Sequence, residues 1–385
     1  MKDLSIILNL THECNMACGY CYYSGELLKN PGVMDLKMVE VIFKKLGESS
    51  FDNIRIFFHG GEPLLVSTDN YNEIFAMQQH YLEGKTIINS IQTNGTLIND
   101  SFINLFKSHD VKIGISLDGP ESVHNYYRKN KSGHETFRLI MNNLKKLADN
   151  GICVGIISVI SDITAEYANM LYPFFKSIKN IRAVDMMPET ISSSARILTK
   201  MNYSKIMNQI FNQWFFDEEC NFELRILTSI VMGFITGIPS MCIFNESCVR
   251  KVRFLSIDIH GNVSPCDSLT SLNLGNIMQN SIQSMLENNM TRRNFSISDE
   301  RKRERCWFCK WFKYCHGGCP SNRTESEINC HCDDFCNIFE YIYSTLENFG
   351  IFRNGYLQPS SIETIPNPAL RQSIINAAER IKAYA

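Results

Sequence analysis

Cys14-Asn15-Met16-Ala17-Cys18-Gly19-Tyr20-Cys21 places three thiols within eight residues. An apolar run at residues 4–10 precedes it and reads as a strand, so the thiols stand in a loop at a strand end. Three thiolates suit a soft metal or an iron–sulfur cluster. A four-iron cluster held by three cysteines leaves one iron without a protein ligand, free to bind and activate a small molecule. The competing reading is a structural zinc closed by Cys14, Cys18, Cys21 and His12, since such zinc sites normally take four ligands.

Outward from this loop the chain alternates strand and helix. Strands are expected at 53–58, 86–92, 111–117, 152–160 and 181–187, with helices at 35–46, 71–82, 100–108, 135–150 and 166–178. Asp35 is the expected N-cap of the first helix. About six such units imply an α/β fold, a partial (β/α)6 TIM-like barrel, with ligands at the C-terminal ends of its strands. Helices are also expected at 203–216, 222–234, 334–349 and 369–385. A hairpin is expected to turn at Gly261-Asn262. The expected domains are a barrel over 1–235, a cysteine-rich module over 236–340, and a helix with a tail over 341–385.

The chain has 385 residues and 15 cysteines, ten of them between Cys242 and Cys336. Thirty-eight Lys and Arg against 40 Asp and Glu argue against a polycationic nucleic-acid binder. The most apolar stretch, 151–160, is too short to span a membrane. Thirteen residues precede Cys14, leaving no room for a signal peptide. A cytoplasmic protein is expected, and in that compartment clustered cysteines point to metal rather than disulfides. Over 301–336 metal is expected to replace an apolar core. Cys153, in an apolar run, reads as a buried small hydrophobe, and Cys220 has no evident partner.

The spacing C-x3-C-x2-C, with Tyr20 before the last cysteine, resembles the signature of the radical S-adenosylmethionine (radical SAM) superfamily. Four further strand-end motifs strengthen the resemblance: Gly60-Gly61-Glu62-Pro63, Gln92-Thr93-Asn94-Gly95, Ser116-Leu117-Asp118-Gly119-Pro120, and Arg128 after Tyr126-Tyr127. It implies that Tyr20, Gly60, Gly61, Glu62, Pro63, Thr93, Asn94, Ser116, Asp118 and Arg128 bind the SAM cofactor. Glu62 would accept from its amino group and Arg128 would pair with its carboxylate. One electron from the reduced cluster then cleaves SAM to a 5′-deoxyadenosyl radical, which takes a hydrogen atom from the substrate. The electron would come from a reductant such as flavodoxin or ferredoxin.

Cys248-x12-Gly261-x4-Cys266, followed by Cys306-x2-Cys309-x5-Cys315-x3-Cys319, resembles the SPASM extension of such enzymes. That resemblance implies two auxiliary four-iron clusters, hence three clusters in all. Cys242, Cys248, Cys266 and Cys319 would hold one. Cys306, Cys309, Cys315 and one of Cys330, Cys332 or Cys336 would hold the other, with Cys336 favoured by the Phe339 that follows it. Two structural zincs are the alternative that spacing alone allows.

Enzymes of this kind act mostly on peptides or protein segments. Two activities fit. The favoured one is oxidative crosslinking (carbon–carbon, ether or thioether) of a ribosomally made precursor peptide. The alternative is anaerobic sulfatase maturation, which makes formylglycine from Cys or Ser. Pro265-Cys266-Asp267 and Leu274-Gly275-Asn276-Ile277 resemble the second pattern, with Asp267 as catalytic base. Cys319-Pro320-Ser321 lacks the arginines expected there. No leader-binding domain is expected ahead of Cys14, so a crosslinking enzyme would read its precursor with the barrel, the tail or a separate protein. A non-catalytic metal scaffold is the third reading, and it has no use for the Gly60–Pro63 and Arg128 positions.

Overall fold

A computed structural model describes residues 3–23, 30–189, 203–245, 254–287, 289–323, 329–353 and 356–384. In chain order the strands are β1 (Asp3–Thr11), β2 (Asn53–Gly60), β3 (Thr86–Thr93), β4 (Lys112–Ser116), β5 (Val154–Ile160), β6 (Ile181–Pro188), β7 (Glu223–Leu224), β8 (Phe254–Ile257), β9 (Asn262–Ser264) and β10 (Gly275–Asn276). The chain forms two compact units. The first holds 1–116, 127–154 and 249–301; the second holds 117–126, 155–248 and 302–385.

In the first unit β1, β2, β3 and β4 pair in parallel, each neighbour following in chain order. This is the parallel sheet that the alternation implies. Helix Leu36–Gly47 shows why the sequence folds this way. Asp35 accepts from the Lys37 amide, and Val39, Ile42, Phe43 and Leu46 are buried at helical spacing. Ser67 and Asn99 cap the next two helices, Thr68–Tyr81 and Asp100–Ser108, in the same way. Along β2, Ile54, Ile56 and Phe58 are buried, while Asn53, Phe57 and His59 on the alternate face are only partly so. β8 lies parallel to the other edge of β1, and β9 and β10 add antiparallel to it. The β8–β9 turn forms as expected: Asp258 accepts from the His260 and Asn262 amides, and Gly261 has φ 79°.

In the second unit β6 pairs in parallel with β7. Residues 222–234, read as one helix, divide into β7 and helix Arg225–Thr236. That helix and helix Cys332–Asn348 enclose an aromatic cluster: Phe234 packs against Trp311, Tyr314, Phe339 and Tyr343, and Phe244 against Phe335 and Phe339. The cysteine-dense segment therefore has an apolar base, contrary to the expectation that metal alone would stand in for a core. The tail is docked as well. Asn367 donates to the Trp214 carbonyl, and Leu370 and Ile374 of helix Pro368–Tyr384 are buried. Helix Met290–Arg303 was not legible in the sequence. Cys153 precedes β5 and is exposed, which corrects its reading as a buried hydrophobe. Cys220 is buried, with its thiol donating to the Phe222 carbonyl. No helix of the described residues is long and apolar enough to cross a membrane.

Candidate radical SAM site and cysteine module

The cysteine loop is stitched into the first unit mainly by backbone. The Gly61 amide donates to Thr11 O and the Glu62 amide to Glu13 O, both at 2.8 Å. A Cβ at Gly60 or Gly61 would sit 2.2 Å from those same carbonyl oxygens, so this approach requires glycine. On the other side Ala17 N donates to Lys129 O and Gly19 N to Tyr127 O. Asn15 accepts from the Asn94 side chain and donates to the Thr96 hydroxyl, both at 2.8 Å. Three strand-end motifs thus meet at one loop.

Glu62 is the hub beneath it. Its Oε1 accepts from the Leu64 amide and the Thr93 hydroxyl, and its Oε2 from the Asn94 amide at 2.7 Å. The residue has no exposed surface. Burial pushes its carboxyl up to about 7, against those bonds and the Arg128 cation. The expectation that this carboxylate serves the SAM amino group is therefore corrected, because its bonds go to the protein and pin β2 to β3. Pro63 starts the short turn that Glu62 caps. Thr93 and Asn94 are likewise engaged internally, Thr93 receiving the Gly95 amide and Asn94 Oδ1 the Thr96 amide. Ser116 accepts from the Gln92 side chain at 3.1 Å. Asp118 lies in the second unit, buried, holding the Val159 amide at 3.1 Å.

Arg128 is buried, with its guanidinium 5.4 Å from the Tyr20 ring centre and one nitrogen 4.0 Å from Cys18 Sγ. Cys14 Sγ receives the Met16 amide at 3.4 Å, while burial raises its thiol pKa. A cation and an N–H donor aimed at sulfur favour thiolate, and bound iron would complete the deprotonation. The triplet fits an open cluster. His12 does not turn toward it: its Nδ1 lies 3.2 Å from Asn30 O and its ring packs edge-on against His260.

The residues just after the triplet form a polar network that motif reading did not reveal. The Tyr22 hydroxyl donates to Asp267 Oδ2 at 3.0 Å. The Tyr23 hydroxyl donates to Asn9 Oδ1 at 3.1 Å and lies 3.3 Å from His59 Nδ1. Asn9 in turn donates to the Ser256 hydroxyl. Burial lowers the His59 pKa, with Asp267 opposing, so the ring is neutral near pH 7. A signal was present in the sequence. Asn9, His59 and Gln92 are polar residues on otherwise apolar strands, each within two residues of the C-terminal end.

In the second unit Cys306, Cys309, Cys315, Cys332 and Cys336 converge. Cys336 is hydrogen-bonded to Cys332 and Cys309, and the charges of Cys309 and Cys332 bear on both Cys306 and Cys315. Burial pushes the Cys315 thiol up to about 12, although Gly317 N donates to its sulfur at 3.4 Å. Five thiols gather where a four-iron cluster takes four. Cys330 instead stands near Cys319. Cys242 is exposed and Cys266 half-buried, while Cys248 lies outside the described residues.

Comparison with known proteins agrees with this geometry. Residues 8–172 match the radical SAM superfamily, and residues 248–310 match the iron–sulfur cluster-binding SPASM domain. The chain is 28% identical to the cysteine-type anaerobic sulfatase-maturating enzyme of Clostridium perfringens, over 90% of this chain and 98% of that one. It is 27% identical to the serine-type enzyme of Bacteroides thetaiotaomicron, over 86% of each. Among solved structures, native anSMEcpe with bound AdoMet and the Kp18Cys peptide superposes with TM-score 0.80 at 25% identity, covering 90% of this chain and 98% of that chain. SuiB of Streptococcus suis bound to its precursor peptide SuiA shares the fold, with TM-score 0.59 at 18% identity over 85% of this chain and 74% of that chain. The chain therefore belongs to the radical SAM superfamily as a SPASM-bearing enzyme, with S-adenosylmethionine and iron–sulfur clusters as its cofactors.

Proposed function

We propose that this enzyme matures sulfatases, oxidising a cysteine or serine side chain of a peptide segment to formylglycine. This reverses the order favoured by sequence, which put peptide crosslinking first. Support comes from the end-to-end likeness to enzymes of that name, whereas SuiB shares only the fold. The single observation that carries the reading is Asp267, which follows Cys266 directly and is held by the Tyr22 hydroxyl.

Cys14, Cys18 and Cys21 would hold the SAM-binding cluster, which supplies the radical that removes hydrogen from the substrate carbon. Cys306, Cys309, Cys315 and Cys336 would hold one auxiliary cluster, with Cys332 beside them. Cys242, Cys248, Cys266 and Cys319 would hold the other. Asp267 then takes the thiol or hydroxyl proton as the carbon is oxidised. Tyr22 fixes the carboxylate orientation, and Tyr23, Asn9 and Ser256 fix the wall beside it. Arg128 and Tyr20 pack on the cysteine loop and exclude water from it. Gly60 and Gly61 allow the loop its close seat.

The test is anaerobic incubation of the reconstituted enzyme with SAM, a reductant and a cysteine-containing sulfatase peptide, followed by mass analysis. Formylglycine, trapped as a hydrazone, is expected. A crosslinked product two hydrogens lighter would restore the crosslinking reading.

A further inference from the structure

The Cys306-Trp307-Phe308-Cys309 turn displays its two aromatic residues outward. Phe308 is 98% exposed and Trp307 60%, whereas Trp311, a few residues on, is 7% exposed within the aromatic cluster. The turn is closed by the Cys309 amide donating to Cys306 O at 2.9 Å, so both rings sit between two cysteines directed at the same thiol group. Soluble surfaces rarely expose adjacent large rings without a partner.

The surrounding sequence is strongly basic. Residues 301–313 carry six Lys or Arg against one Glu, in a chain of net charge −2. Lys310 and Lys313 are exposed on the same segment. Lys310 lies over the Trp311 ring and pairs with Glu340, and Lys313 lies over the Tyr314 ring. Paired aromatics within a cationic surround are complementary to an acidic protein with an exposed redox group.

We infer that Trp307, Phe308, Lys310 and Lys313 form the docking surface for an acidic one-electron carrier protein. The carrier, in its oxidised form, receives the electron released when the substrate carbon is oxidised. One electron leaves the cluster side and one enters the carrier, with no bond made or broken there. This rests on the reading that Cys306, Cys309 and Cys315 hold a cluster. The rings adjoin two of those ligands in sequence, so a docked carrier would lie near them.

The test measures binding of purified, oxidised, acidic flavodoxin to the iron-loaded enzyme at low and moderate salt. Lys310→Glu/Lys313→Glu and Trp307→Ser/Phe308→Ser are compared with the parent. Each double variant is expected to bind about tenfold or more weakly, and the parent to lose affinity as salt rises. Iron content and dithionite-driven SAM cleavage should stay within about twofold, because a small reductant needs no docking surface. Unchanged affinity in both variants would overturn the proposal. So would a parent that binds no flavodoxin, or one that dimerises in solution through this face, with the dimer lost in the Phe308 variant. A parent lacking iron would instead overturn the cluster reading beneath it.

Discussion

The two cysteine-bearing regions are built on opposite plans. The N-terminal triplet hangs from a finished frame of four parallel strands, a buried carboxylate and backbone bonds from Gly61, Glu62, Ala17 and Gly19. The thiols of residues 306–336 stand on short turns and the start of one helix, with an aromatic base below them. In the first region structure precedes metal. In the second, the sulfurs themselves must be joined before the turns are fixed. Catalysis demands this of the first, since an iron left open for a ligand cannot also hold its own loop in place.

Iron removal gives the largest contrast. In hydrogen exchange on the chelated protein, the amides of Gly19, Gly61 and Glu62 should keep their protection while those of residues 304–323 lose it. Equal loss in both would break the distinction. Cys18→Ala should likewise abolish SAM cleavage with little change in thermal midpoint, whereas Cys309→Ala should lower that midpoint clearly.

Asp267→Asn is expected to leave SAM cleavage intact and to lower peptide product by about 10²–10⁴-fold, the usual worth of a general base. Product at the parental rate would return Asp267 to a structural role.

Glu62→Gln tests the frame. Its amide oxygen can still accept from Thr93 and Leu64, but its NH2 then faces the Asn94 amide, donor against donor. The expected cost is about 1–3 kcal/mol, read by denaturant unfolding. The pH dependence has a definite sign. The folded-state pKa of Glu62 is raised from 4.5 to about 7, so its contribution is complete below 4.5 and is lost as pH rises through about 7. The parent should therefore lose stability over that window, and Glu62→Gln should flatten the slope.

The smallest effect is Tyr22→Phe. It removes one hydrogen bond to Asp267, worth about 1 kcal/mol, and should cut product formation by about fivefold with SAM cleavage unchanged.

The frame was largely legible in the sequence because it is periodic. Apolar alternation and capping residues such as Asp35 mark its elements within a few residues. The site was legible only in part. Motif reading found Glu62 but gave its carboxylate to a ligand, because composition does not say that Thr93 and Asn94 reach it first. The Tyr22, Tyr23, Asn9 and His59 network was missed because it joins residues up to 245 positions apart through single side-chain bonds. The choice among Cys330, Cys332 and Cys336 depends on which way each thiol points, and spacing does not encode that.

The close seating of Gly60 and Gly61 also bears on the order of assembly. Because their main chain, not iron, fixes the path of residues 11–13, a newly made chain presents Cys14 in position before any cofactor arrives. Maturation of the catalytic centre is then a delivery step onto a waiting cradle, and an oxygen-damaged centre could be rebuilt in place without the chain having to refold.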